Sequence, residues 1–244
     1  IQGYTGYLTE PYYVPFKGNP SYRGYPSVPR EELFRQVTAL YERRIPVAIH
    51  CNGDASIDDG LDAIEVAMST HPWPEARPLI IHAQMTRKDQ IDRMAELGVT
   101  PSFFSAHTYY WGDRHAAIFM GPERAANMSP ARWALDAGVR FSSHLDTPVT
   151  PMLPLQAVWS QVERESTGGA VIGPAQRIGR MPALRAVTIN AAWQVFMDDE
   201  IGSIEPGKRA DLVVLSENPL TAEDIRGIKV ERTVIDGATV YARL

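Results

Sequence analysis

Three short apolar runs, each leading into a residue that can bind a metal or move a proton, constrain this chain more than any other feature. Val47-Ala48-Ile49 closes on His50, and Leu79-Ile80-Ile81 closes on His82, 32 residues later. Asp146 follows Val139-Arg140-Phe141-Ser142-Ser143 and stands 64 residues beyond His82. A strand, a helix and a return turn consume about thirty residues, so this spacing predicts successive βα units of a parallel barrel. That architecture gathers its chemistry at the C-terminal ends of the strands. Two imidazoles and a carboxylate converging there predict a divalent metal site.

Composition narrows the functional classes. With 244 residues and 44% hydrophobic content, the chain can bury a sizeable core. A net charge of -5 leaves no basic excess, which argues against nucleic acid as a partner. No run approaches 18 apolar residues, so no membrane-spanning helix is encoded. The single Cys51 excludes an internal disulfide.

Residues 1–29 are dense in Tyr, Gly and Pro and read as a long aromatic loop, ordered as a lid, entered from the middle of a longer protein. Leu33, Val37, Leu40 and Tyr41 predict an amphipathic helix over 31–44 that feeds a strand at 45–50. A helix over 56–69 follows, with Leu61, Ile64 and Met68 on one face. After the strand at 79–82, Thr86-Arg87-Lys88-Asp89 reads as a capping-box variant opening a helix that Gly98 ends. A strand over 98–104 leads into a loop rich in aromatic residues, and Ser129-Pro130 predicts a helix start stopped by Gly138. Beyond the strand at 139–143, helices are expected near 155–165 and 181–196. Past Asp198, runs at 211–215, 229–235 and 239–243 read as short antiparallel strands. The fold class predicted is α/β: half of a (β/α)8 barrel over 1–198, and strands of a small β-sandwich over 199–244.

Several stretches resemble one family. His50-Cys51-Asn52-Gly53-Asp54-Ala55, Ile80-Ile81-His82-Ala83-Gln84 and Ser143-His144-Leu145-Asp146-Thr147-Pro148-Val149 are similar to the amidohydrolase superfamily, in the subgroup of YtcJ-like proteins and N-substituted formamide deformylases. Gly202-Ser203-Ile204-Glu205-Pro206-Gly207 through Asp211-Leu212 resembles the segment that returns such chains to their β-sandwich. The resemblance implies hydrolysis of an amide-like C–N bond by water activated on one or two divalent metals, commonly zinc. It implies His50 and His82 as metal ligands, and Asp146 as both a ligand and the catalytic acid–base. The superfamily's His-x-His pair and its bridging lysine or acid are missing, because no two of the six His stand one residue apart. Two or three ligands are therefore expected here, with a small-molecule substrate. Self-association, or pairing with an N-terminal half, is expected to cover the open strand edges.

Other residues carry two readings each. Asp146 could instead cap a turn before Pro148. His144 is expected to support the ligands from behind, and Asp54 to cap the helix that follows, with support of the ligands as its competing role. His107, Trp111 and Arg124 either contact substrate at the pocket mouth or belong to a packed aromatic loop. Cys51 alternates away from His50 and is expected in the core. Two further functional readings stand beside the hydrolase: an inert fragment or assembly module, and a deaminase or cyclic-imide hydrolase of the same superfamily.

Overall fold

Four short strands run parallel in sequence order: β1 (Ala48–Cys51), β2 (Leu79–His82), β3 (Thr100–Phe103) and β4 (Ser142–Ser143). The computed structural model describes residues 1–244. Ahead of β1 lies α1 (Arg30–Glu42), and α2 (Asp54–Thr70) and α3 (Lys88–Leu97) cross between the first three strands. Ile57, Leu61 and Ile64 of α2 are fully buried, at the spacing expected of a helix laid on a sheet. They share one core with Ile80, Phe103, Phe141 and Cys51. The register sets Cys51 level with His82, and His82 level with Phe103, so the three strands end together.

The crossover from β3 to β4 corrects the expectation of a loop. It contains α4 (His107–Arg114), a π-helical turn over His115–Phe119 and α5 (Gly121–Ala126) where the loop is expected, then α6 (Ala131–Asp136), the helix that the sequence predicts before Gly138. Aromatic residues around Gly112 carry poor helix propensity, but tertiary contacts override it. Gly112 lies against Ile172, and Asp113 accepts hydrogen bonds from the Ser166 hydroxyl and the Gly168 N–H.

Helix boundaries also shift. Gly98 and Gly138 end their helices with φ of +66° and +70°, as expected. At the start of α3, however, the reciprocal contact is made by Gln90, whose Oε1 accepts from Arg87 N–H, and not by Asp89. Ser129 is no cap: its φ is +49° and its buried hydroxyl has no partner. After α7 (Pro154–Val162), the single helix expected over 181–196 is two, α8 (Arg180–Ala186) and α9 (Ile189–Gln194), broken at the β-branched pair Val187-Thr188.

Residues 1–29 hold no helix or extended strand, yet they are packed. Leu8 and Tyr12 are buried, and Tyr4 stacks on Phe16 and meets Phe119 edge-on. Two main-chain hydrogen bonds, from Tyr13 and Val14 to Phe119 and Ile118, tie the segment to the π-helical turn. A Cβ at Gly53 would stand 1.9 Å from the Tyr7 carbonyl oxygen, so this glycine is what lets the segment lie on the start of α2.

The last strands, β5 (Leu212–Leu215), β6 (Val230–Ile235) and β7 (Ala238–Ala242), form a separate antiparallel sheet. Val213, Val214, Val240 and Tyr241 are all about half exposed on it. No helix is long and apolar enough to cross a membrane.

Candidate metal centre

His50 is the third residue of β1 and His82 the last of β2, and their rings meet edge to face with centroids 4.6 Å apart. Simple alternation does not bring them together. Register sets His82 beside Cys51 and Phe103, both of which belong to the core cluster that α2 and α3 share. The His82 ring instead lies on the His50 side, against Phe104 and His144. His82 and Ala83 have φ of +69° and +46°, and Asp146 has +52°. Consecutive left-handed non-glycine residues are costly, of order 1–3 kcal/mol each, and concentrate where function holds the backbone out of its preferred basins.

A hydrogen-bonded chain stands behind His82. Its Nδ1 is 3.0 Å from His144 Nε2, and His144 Nδ1 is 2.8 Å from Ser102 Oγ, which accepts from Ser142 Oγ. The Nε2 of His82 is left without a protein partner. His50 has one polar neighbour, Asn52, at 3.5 Å. Burial, reinforced by the neighbouring His144 and His50, pushes the His82 imidazole down to about 3, and burial pushes His144 down to about 4. Both rings are therefore neutral near pH 7, the protonation state in which a histidine can bind a metal.

A cavity of about 290 Å³ opens on these rings, lined among others by His50, His82, Phe104, His107, Trp111 and Asp146. Asp146 is exposed at its mouth. Two imidazoles, those of His50 and His82, and the carboxylate of Asp146 form a donor set that zinc accepts. No three His, Cys, Asp or Glu side chains are clustered closely enough to enclose a metal on their own. The set thus fits part of a coordination sphere.

Not every expected residue reaches this cavity. Arg124 lines a different one, beside Leu8 and Trp133, and its guanidinium is held by the carbonyls of Met120 and Pro11. Asp54 does not cap α2, whose N-cap is Gly53. Its carboxylate accepts from the backbone N–H and the hydroxyl of Thr9 and pairs with Arg87, locking the N-terminal segment to the helix. Cys51 is buried, with Sγ 3.2 Å from the Ser56 carbonyl. Phe104 lines the cavity without a sequence signal of its own, and the buried His115 stands behind His107, with ring centroids 6.2 Å apart. The spacing His107, Trp111, His115 at i, i+4, i+8 was the available signal.

His115 is fully buried and its Nε2 lies 3.0 Å from the Gln84 side-chain nitrogen. Burial pushes its imidazole down to about 3, below the ordinary 6.5. The unfolded chain then binds a proton here that the folded chain excludes, so stability is complete above about pH 6.5 and declines as pH falls toward 3. Each such proton contributes a slope of about 1.4 kcal/mol per pH unit. Melting temperatures measured from pH 7 to pH 4 are expected to fall less steeply for His115→Gln than for the unmodified chain; equal slopes would show that His115 does not carry this dependence.

Comparison with known proteins finds relatives along nearly the whole chain. The Amidohydrolase family model matches residues 1–241. The chain is 34% identical to the N-substituted formamide deformylase of Arthrobacter pascens over 82% of its length, and 27% identical to the putative amidohydrolase YtcJ of Bacillus subtilis over its whole length. It covers 37% and 45% of those proteins, less than half of each. An uncharacterized metal-dependent hydrolase from Pyrococcus horikoshii superposes on 93% of the chain with a TM-score of 0.77 at 26% identity, and the chain covers 44% of it. With paired strand-end histidines in a parallel α/β sheet and a family match running from residue 1 to 241, this chain belongs to the amidohydrolase family.

Proposed function

We propose that this chain is part of a metal-dependent hydrolase that cleaves an amide-like C–N bond in a small molecule. The observation that carries the proposal is the His50–His82 pair, with His82 braced by His144. His50 and His82 would hold the metal, with Asp146 as a further ligand, and the remaining ligands would come from outside this chain. Zinc is the expected ion, one or two per active site, and when bound it supplies Lewis acidity toward the scissile carbonyl and the attacking water.

The chain's own residues set up the rest. For His82 Nε2 to ligate, Nδ1–H donates to His144 Nε2, and His144 Nδ1–H donates to Ser102 Oγ. The hydroxyls of Ser102 and Ser142 can rotate to accept that direction. This bracing fixes the tautomer and aim of the ligand, a role worth about 10–100-fold in metal affinity. Asp146 accepts a proton from the attacking water at its carboxylate and delivers it to the departing nitrogen, acting as base and then acid. A deaminase of the same superfamily would use these same residues, and only the substrate distinguishes the two.

The architecture supports a larger assembly. We place β1–β4 in part of a (β/α)8 barrel spanning residues 1–198, and β5–β7 in part of a β-sandwich over 199–244. β1 and β4 each pair on one edge only, and the β5–β7 sheet leaves apolar side chains uncovered. Pairing with the remainder of the enzyme, or self-association, would bury these edges. Sedimentation of this chain at micromolar concentration is expected to show a dimer or larger species; a purely monomeric boundary would count against self-association.

The direct test follows release of amine from N-substituted formamides by the protein carrying this chain. Activity is expected to vanish on chelation and return with zinc. Undiminished turnover after exhaustive chelation would overturn metal dependence. A chelated and zinc-loaded enzyme that releases ammonia from aminopurines but cleaves no formamide would favour the deaminase.

A further inference from the structure

His107 is unlike the other imidazoles around the cavity. His50, His82, His115 and His144 each have a polar side-chain neighbour within hydrogen-bonding reach. The His107 side chain makes no hydrogen bond at all, although it is only 5% exposed and its Nδ1 is completely buried. Leaving a buried polar group unpaired is costly, so such groups normally find partners in the protein, in water or in a ligand.

The surroundings of His107 are flat and aromatic. Its ring lies 4.0 Å from that of Phe104 at 38°, and 5.3 Å from that of Trp111, one helical turn further along α4. Phe104 and Trp111 face each other edge-on at 6.0 Å. His107 and His82 are 6.2 Å apart between ring centroids, so this wall stands directly beside the proposed reaction centre. On the far side of α4, Asp113 is fastened to Ser166 and Gly168, which holds the helix against the cavity.

We infer that His107, Phe104 and Trp111 form the specificity subsite of the hydrolase, which takes an aryl group joined to a planar amide. The aryl ring packs on Trp111, with Phe104, itself 1% exposed, backing the wall, and His107, whose Nδ1 is closed off, donates through its Nε2–H to an acceptor oxygen of the ligand. An entirely apolar wall would accept any hydrocarbon of the right size, whereas an unpartnered imidazole discriminates. A ligand without an acceptor leaves that group unsatisfied and is rejected beyond its loss of contact area. Aromatic pairs add stabilisation beyond burial when offset or edge-on, the geometry this wall already shows.

This assignment rests on the hydrolase proposal, and binding separates the two. Benzamide and cyclohexanecarboxamide, the second a saturated analogue, are titrated calorimetrically into the unmodified chain, His107→Phe and His107→Gln. Benzamide is expected to bind several-fold tighter than its analogue. His107→Phe keeps an aromatic surface without the donor and is expected to weaken benzamide binding about tenfold, while His107→Gln, which keeps a donor, recovers most of it. Zinc content is expected to stay unchanged in both variants and the melting temperature not to fall, which excludes misfolding as the cause. Benzamide failing to bind the unmodified chain, binding His107→Phe equally, or binding no better than cyclohexanecarboxamide would each overturn the subsite. If benzamide binds as described but the protein carrying this chain hydrolyses no C–N bond, the subsite stands and the hydrolase proposal falls.

Discussion

Replacing His82 with alanine is expected to remove zinc and hydrolysis together from the protein carrying this chain, whereas Asp146→Asn is expected to remove hydrolysis and leave zinc in place. The contrast follows from where each residue stands. His82 meets His50 and is braced by His144, so its loss would delete a proposed ligand and strand the hydrogen-bonded chain behind it. Asp146 lies exposed at the cavity mouth, on a backbone held at φ +52°. Asparagine keeps the shape and one oxygen but cannot take a proton, and losing a positioned acid–base costs about 10²–10⁴-fold in turnover. Zinc per chain after chelation and reloading, measured beside turnover, reads both effects. An Asp146→Asn protein that reloads no zinc would make Asp146 chiefly a ligand. A His82→Ala protein that reloads normally would remove His82 from the metal centre altogether.

Much of this was visible in the sequence, for a physical reason. Strand ends and helix stops are written locally, so the thirty-residue spacing of apolar runs locates β1 and β2, and Gly98 and Gly138 mark where helices stop. The proximity of His50 and His82 followed from the same spacing. What alternation could not supply was the turn of the His82 ring onto the His50 side, which accompanies a left-handed backbone in a non-glycine residue. The role of His144 is ambiguous in the sequence because two partners decide it, Ser102 and His82, and they lie 42 and 62 residues away. The start of the crossover after β3 looks like a loop in the sequence because its aromatic residues are poor helix formers in isolation. Its helices form through long-range contacts such as that of Asp113 with Ser166. Arg124 illustrates the opposite error: a cation in a loop near the site suggested a substrate contact, but its guanidinium is occupied by two carbonyls.

Arg164 was hidden more deeply. It lies in a polar stretch, Glu163-Arg164-Glu165-Ser166, that reads as solvent-exposed, yet it is 1% exposed. Its Nε donates to the Ile172 carbonyl at 2.6 Å and its Nη2 to the Met128 carbonyl at 2.7 Å, with longer contacts to Ser129 and Ala126. All of these partners are main-chain carbonyls and none is a carboxylate. Burial, with Arg177 nearby, accordingly pulls its pKa down to about 9. One side chain thus ties residues 164–172 to the segment 126–129. Ser129 N–H in turn donates to the Gln84 carbonyl, two residues from His82. Arg164→Met fills similar space but leaves several buried carbonyls unpaired, and at about 1–3 kcal/mol for each buried acceptor left unsatisfied the expected cost is about 3–5 kcal/mol. At about 2–4 °C per kcal/mol for a chain of this size, the melting temperature should fall by roughly 10 °C. Lysine keeps the charge but not the planar fork of donors, so Arg164→Lys is expected to recover only part of the loss. A melting temperature unchanged in Arg164→Met would mean that water satisfies these carbonyls, and that the 126–129 segment keeps its place beside Gln84 without the guanidinium.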